Sequence, residues 1–149
     1  MHIHFGNERW NQAAAFALRY EVFVLEQGIS PIEEFDMFDL PNQKYYVVYE
    51  KSTVLATARF QIIDEQTIQP DRLCVKKDYR GTGIGTKLLF EIERCALQDG
   101  FSSAILSAEK TAINFYQKLG YKISSKEYDE DGIPCVQMNK DLNDKLFSF

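Results

Sequence analysis

Cysteine, histidine and long apolar runs are all scarce in this chain. Its three cysteines, Cys74, Cys95 and Cys135, are odd in number and stand 21 and 40 residues apart. Neither spacing matches a metal-binding or disulfide framework, so they read as reduced thiols of a cytosolic protein. The two histidines, His2 and His4, alternate on a first strand candidate and read as edge-strand surface residues; no metal site is expected. No window approaches the roughly 20 apolar residues that cross a bilayer, so a membrane is not an expected partner. The stretch "MHIHFGNERWNQ" lacks a basic region followed by an apolar run, and no secretory leader is expected. Repeats, low-complexity tracts and linkers are absent as well, so residues 1–149 read as one domain.

The overall balance is that of a globular protein, 45% hydrophobic and 26% charged. A net charge of −5 argues against nucleic acid as a general partner. The charge is unevenly placed. From Arg72 to Lys87 five bases stand with one acid, +4 in all, which leaves −9 for the rest of the chain. From Glu26 to Asp39 there are five acids and no base. The basic island suggests a small polyanionic ligand, and the acidic stretch a cationic one.

Periodicity supplies the elements. "HIHF" is a short strand. Residues 8–24 read as a helix with Trp10, Ala14, Ala17, Leu18 and Phe23 on one side and Asn7 as its N-cap. "QGISP" breaks it, and residues 29–43 look irregular. "KYYVVYE" and "TVLATARFQII" form a hairpin through "EKST", and "TIQPDRLCV" is a further strand with a bulge or bend at Pro70. A helix follows the glycine segment and ends at Asp99-Gly100. "SSAILSA" is a buried strand, and "EKTAINFYQKLG" a helix capped by Gly120. "YKISSKEY" and "IPCVQMNK" close the chain around a "DEDG" turn. The predicted order is β-α-β-β-β-α-β-α-β-β, a mixed α/β domain around a central sheet.

The segment "DYRGTGIGTKLL" places Gly81, Gly83 and Gly85 at every second position, although the chain has only eight glycines. Glycine loses more conformational freedom on folding than any other residue, so three together need a reason. An ATP-binding P-loop is excluded, because no Gly-Lys pair occurs here. The dinucleotide fingerprint is excluded too, since the spacing is G-x-G-x-G and no βαβ unit opens the chain. The pattern that fits is R-x-x-G-x-G, the turn that grips the pyrophosphate of coenzyme A, in Arg80-Gly81-Thr82-Gly83-Ile84-Gly85. A strand precedes it and an amphipathic helix follows. A pyrophosphate needs several donors aimed at one place. Backbone N–H groups at a helix N-terminus supply them, and the helix dipole favours the negative charge.

At these residues the chain resembles the GNAT superfamily of acyl-CoA-dependent N-acyltransferases. "RLCVKKDYRGTGIGTKLL" is similar to the family's strand and pyrophosphate turn, and "AINFYQKLGYK" to its later A-x-x-F-Y-x-K-x-G-F segment. "LRYEVFVLEQGI" and "DEDGIPCVQMNK" resemble a subgroup of small bacterial acetyltransferases with V-F-V-x-E-Q early and G-I-P-H late. Three positions depart from that subgroup. Cys135 stands where histidine is usual, and Ser107 and Glu109 stand where "HAQ" is typical.

The resemblance implies a GNAT-like α/β fold: a mixed, mostly antiparallel sheet with splayed middle strands and helices on both faces. It implies an acetyl-CoA-dependent N-acetyltransferase. A primary amine of a small molecule, or an exposed amino group, would attack the thioester directly. Leu73, Cys74 and Val75 would pair their backbone with the pantetheine arm. Arg80, Gly81, Thr82, Gly83, Ile84, Gly85 and Thr86 would hold the pyrophosphate, and Asn114 and Tyr116 would also touch the cofactor. Tyr116 would protonate the leaving thiolate, and Glu26 would be the base or attract the ammonium. The Val75 N–H would serve the developing oxyanion. Family members are often homodimers. The alternative is a GNAT fold that senses or binds acyl-CoA without turnover.

Overall fold

A computed structural model describes residues 1–143 of the chain; the last six residues of the expected domain lie outside them. Eight strands form one sheet: β1 His2–Gly6, β2 Tyr45–Glu50, β3 Thr53–Ile62, β4 Thr67–Val75, β5 Ser103–Glu109, β6 Lys122–Ile123, β7 Tyr128–Glu130 and β8 Ile133–Asp141. Their order is β1-β2-β3-β4-β5-β8-β6, and β7 pairs with β8. The β4–β5 ladder is parallel, with Thr67 opposite Ser103 and Ile68 opposite Ala104. The β1–β2, β2–β3, β5–β8, β6–β8 and β7–β8 ladders are antiparallel. The helices are α1 Arg9–Arg19, α2 Pro31–Glu34, α3 Ile84–Gln98 and α4 Ile113–Lys118. This is the mixed, mostly antiparallel α/β architecture that the family resemblance implied. The chain forms two compact units, Met1–Arg59 with Arg72–Phe90, and Phe60–Asp71 with the residues from Glu91 onward.

In the first unit, helix α1 departs from the predicted stripe. Trp10 is 57% exposed and packs its ring on His4 and Tyr49, with centroids 4.7 and 6.0 Å away. The inward positions include Asn11, Gln12 and Arg19 beside Ala15 and Leu18. Polar residues hold these positions because each closes backbone or carboxylate groups. Asn11 donates to the carbonyls of Gly6 and Tyr45 at 3.0 and 2.9 Å and accepts from the Tyr49 hydroxyl at 2.8 Å. A buried amide satisfied in this way carries little desolvation penalty. The N-cap position is Glu8, not Asn7, and no side chain caps the helix.

Regular α geometry stops at Arg19, and Tyr20–Glu26 continues as a π-helical turn. There the Gln27 N–H reaches back five residues to the Val22 carbonyl at 3.1 Å. Gly28, at φ +78°, ends it. The segment expected to be irregular contains the single turn of α2, opened by Pro31. Ala15, Tyr45, Val47 and Tyr49 form one apolar cluster, and Leu18, Val22 and Cys74 another.

In the second unit, Ala104, Leu106 and Ala108 of β5 and Val136 and Met138 of β8 are buried. Lys140 donates to Glu93 at 2.7 Å, and the Tyr121 hydroxyl donates to the other oxygen of the same carboxylate at 2.7 Å. The helix expected over 109–120 is shorter: a 3₁₀ turn at Lys110–Ala112 leads into α4. Gly120, at φ +97°, ends it, with the Tyr121 N–H on the Tyr116 carbonyl at 3.1 Å. The two closing strands predicted are three, because residues between Ile123 and Tyr128 leave the ladder.

Candidate active site

In the first unit, the glycine segment joins β4 to α3 through a 3₁₀ turn, Lys77–Tyr79. Gly81 and Gly83 have φ of +78° and +87°, the left-handed region that side chains disfavour. A Cβ built on either would meet nothing within 4 Å. Their glycine identity is thus set by backbone conformation, and the space above the turn is open. The Lys87 N–H closes the first turn of α3 on the Gly83 carbonyl at 3.0 Å. The N–H groups from Gly83 to Thr86 have no partner further back in a helix, as at any helix start. Gly85 lies inside α3 and is not among the left-handed glycines. The Thr82 hydroxyl donates to the Tyr79 carbonyl at 2.5 Å and fixes the loop.

Arg80 ties this turn to two other segments. Its Nε donates to the Val75 carbonyl at 2.9 Å, at the end of β4, and its Nη2 donates to Glu26 Oε2 at 2.8 Å. Glu26 therefore sits at the end of the π-helical turn on the arginine of the glycine motif. One π turn earlier, Glu21 meets Lys76 at 3.2 Å. Cys74 is buried, and burial pushes its thiol far above the ordinary range. A thiol held protonated in this way is no nucleophile.

Four of the five acids from Glu26 to Asp39 meet arginines, a feature that patterning did not reveal. Arg19 donates from Nε to Glu34 at 2.9 Å and from Nη1 to Asp39 at 2.7 Å. Arg59 donates to Asp36 at 2.6 Å and to Asp39 at 2.8 Å. Arg72 stands 3.3 Å from Glu34 and 3.5 Å from Asp36. Tyr45 donates to Asp39 at 2.6 Å. Three guanidinium groups thus face three carboxylates, and these acids are not available to attract a cation. Burial raises Asp39, but its bonds from Arg19 and Tyr45 and the Arg19 charge outweigh that and hold it well below the usual carboxylate range.

In the second unit, α4 carries Asn114, which is exposed, and Tyr116, which is partly buried. The Tyr116 ring packs edge-on against Phe115 and Tyr121, with centroids 5.1 and 5.8 Å away. Its hydroxyl makes no hydrogen bond to another described residue. Burial, then the Glu109 charge, pushes its pKa up to about 12. Of the positions that depart from the subgroup pattern, Ser107 and Cys135 meet at Glu130, and Glu109 stands opposite Cys135 in the β5–β8 ladder. Tyr128 donates to Ser107 at 2.5 Å, and Ser107 donates to Glu130 at 3.0 Å. The Cys135 thiol lies 3.9 Å from the same Glu130 oxygen. Burial raises that thiol above its ordinary value as well.

A family model described as an acetyltransferase (GNAT) domain matches residues 13–142. The chain belongs to the GNAT acetyltransferase family. It is 37% identical over 131 residues to the uncharacterized protein YyaT of Bacillus subtilis, covering 87% of this chain and 88% of that one. With the uncharacterized N-acetyltransferase YjcF of the same organism it shares 38% over 129 residues, 85% of this chain and 90% of that one. A provisionally named N-acetyltransferase of Lactobacillus plantarum superposes with TM-score 0.92 at 40% identity, covering 95% and 97% of the two chains. An aminoglycoside 6'-N-acetyltransferase complexed with coenzyme A shares the fold, at TM-score 0.76 and 18% identity, over 95% and 97% of the chains. The fold of this GNAT acetyltransferase is thus the one its motifs implied. Among its described residues no helix is long and apolar enough to cross a membrane.

Proposed function

We propose that the protein is an acetyl-CoA-dependent N-acetyltransferase that acts on a primary amine of a small molecule or on an exposed amino group. The glycine turn carries this reading. Gly81 and Gly83 are left-handed, with open space where side chains would stand, at the start of a helix of 15 residues. A pyrophosphate needs such a cradle. Arg80 through Thr86 would hold it, Leu73, Cys74 and Val75 would offer backbone groups to the pantetheine arm, and Asn114 would add a side-chain contact. Acetyl-CoA, when bound, supplies an activated thioester carbonyl.

The chain's own residues supply proton chemistry. Tyr116, with its pKa raised to about 12, holds its proton through the neutral range and is the donor for the departing thiolate. Glu26 is the carboxylate that receives a proton from the ammonium or attracts it. In the structure its Oε2 is held by Arg80 at 2.8 Å, so it reaches that role when Arg80 turns to the phosphates. The Val75 N–H is the donor for the developing oxyanion. Three unpaired cysteines support a cytosolic setting, and the family resemblance supports a homodimer.

Two measurements test this function. Acetyl-CoA should raise the melting temperature, because a ligand of the native state stabilises it by mass action. Free thiol should then appear from acetyl-CoA with at least one member of a mixed panel of amines. A thermal shift without thiol release across a broad panel, free N-termini and lysine peptides included, would favour an acyl-CoA sensor. Absence of the shift would overturn both readings.

A further inference from the structure

Arg72 lies inside β4 with φ of +51°. Left-handed backbone is rare for a residue with a Cβ and persists only where its surroundings over-determine it. Proline at position 70 does not explain it, since Pro70 lies two residues earlier. The surroundings of the side chain do. Arg72 stands 3.3 Å from Glu34 Oε2 through Nε and 3.5 Å from Asp36 Oδ2 through Nη2. Its Nε is buried and makes no hydrogen bond, so the attraction is one of charge rather than of a hydrogen-bonded fork.

Glu34 requires that charge. Its side chain is 1% exposed. Its other partner, Arg19, is divided between Glu34 and Asp39. Burial raises the pKa of Glu34, and among the charges that oppose this Arg72 is the largest. A buried carboxylate without a counter-charge is strongly destabilising. The left-handed residue of β4 and the buried carboxylate thus meet in one ion pair. The three residues after Arg72 are Leu73, Cys74 and Val75. A single left-handed residue turns a strand locally, and so sets the direction of the groups that follow.

We propose that Arg72 is a positioning residue: its ion pairs with Glu34 and Asp36 hold β4 in the bend that presents the Leu73–Val75 backbone to the pantetheine arm. This rests on the acetyl-CoA reading above. It gives part of the acidic stretch a task, as a latch on the strand beside the cofactor. Arg72 itself acts through β4 and touches no reacting atom.

The experiment uses the full chain and two probes, acetyl-CoA and 3'-phospho-ADP, the nucleotide half of coenzyme A. The nucleotide half carries the pyrophosphate and lacks the pantetheine arm. Titration calorimetry compares wild type with Arg72→Val and Arg72→Gly. Valine is β-branched and cannot keep this φ, so its acetyl-CoA Kd should rise by about tenfold or more. Glycine keeps the φ accessible but loses the latch, so its Kd should rise less, by about threefold. In both variants the Kd for 3'-phospho-ADP should stay within about twofold of wild type, because its own turn is intact. Should Arg72→Val fail to fold, Arg72→Gly decides alone. An unchanged acetyl-CoA Kd in the glycine variant, or equal losses for both probes, overturns the proposal. If wild type binds neither probe, the acetyl-CoA reading fails first and takes this inference with it.

Discussion

Arg80 and Glu26, 54 positions apart in the chain, form an ion pair at 2.8 Å between the glycine motif and the end of the π-helical turn. The same guanidinium bonds the Val75 carbonyl. An anion arriving at the glycine turn therefore competes with Glu26 for Arg80. Half-exposed pairs of this kind are worth little, about 0.2–1 kcal/mol. Glu26→Gln should accordingly tighten acetyl-CoA binding by a small factor, up to about fivefold. It should also raise KM or lower kcat/KM for the amine. Calorimetry and initial rates check the two effects separately. Weakened acetyl-CoA binding would mean that Glu26 supports Arg80 rather than competing with the ligand.

Gly83→Glu should abolish the thermal shift produced by acetyl-CoA. The added carboxylate enters the open space above the turn and repels the phosphates. It also strains the backbone, since Gly83 has φ +87°. Gly100→Ala is the control, because Gly100 has φ +93° but lies at the end of α3. Both variants should melt lower, by about 1–2 kcal/mol of stability. Only Gly83→Glu should lose the response to acetyl-CoA, and an equal loss in Gly100→Ala would reduce the effect to general strain.

Tyr116→Phe removes one oxygen and leaves the ring against Phe115 and Tyr121. Its melting temperature and acetyl-CoA shift should be nearly those of wild type. Loss of a positioned acid costs about 10²–10⁴ in rate, and kcat should fall toward the low end, since a thiolate leaves fairly well unprotonated. With the phenol pKa pushed up to about 12, wild-type activity should show no loss assignable to this group up to about pH 10. Full kcat in Tyr116→Phe would make the residue a packing tyrosine.

The arginine–carboxylate cluster should make stability sensitive to acid. Burial raises Asp36 and Asp39, but their arginine bonds outweigh it and both pKa values lie below the ordinary ones. A lowered folded pKa gives stability that is present above the unfolded value, about 4, and is lost as the pH falls below it. Glu34 has the opposite sign, since burial raises it; its contribution is complete in acid and declines as the pH rises through its folded value. The melting temperature should therefore fall steeply below about pH 4. Asp39→Asn should be less stable at neutral pH and lose less on acidification. A parallel pH profile in this variant would show that Asp39 does not carry the acid sensitivity.

Much of the fold was legible from residue content and helical period. β2 and β3 are β-branched and aromatic runs buried along most of their length, the buried positions of α3 recur at helical spacing, and each lies where patterning puts it. The glycine turn was legible for another reason: left-handed backbone selects glycine directly. Three features had no local signal. The inward face of α1 is offset because Asn11, Gln12 and Arg19 find partners far away in sequence, and an apolar stripe cannot show that. The acidic stretch suggested a cationic ligand because the partners of Glu34, Asp36 and Asp39, the side chains of Arg19, Arg59 and Arg72, come from three other segments. The ion pair of Arg80 with Glu26 joins motifs that were each visible, but their meeting is a property of the fold alone.

The π-helical turn has a consequence for chain length. In an α-helix, at 3.6 residues per turn, side chains five apart point about 140° away from each other. Glu21 and Glu26 are five apart, yet both reach bases in the one segment after β4, Lys76 at 3.2 Å and Arg80 at 2.8 Å. Bonding from each residue to the fifth before it brings such positions into line. The turn thus works as an adaptor, matching a step of five on one segment to a step of four on the other. Deleting one residue between Tyr20 and Glu26 would restore ordinary helix and break the match, whichever residue were lost. The spacing of this segment is therefore fixed by its neighbour's, and homologous chains that keep both ion pairs should vary in its composition but not in its length.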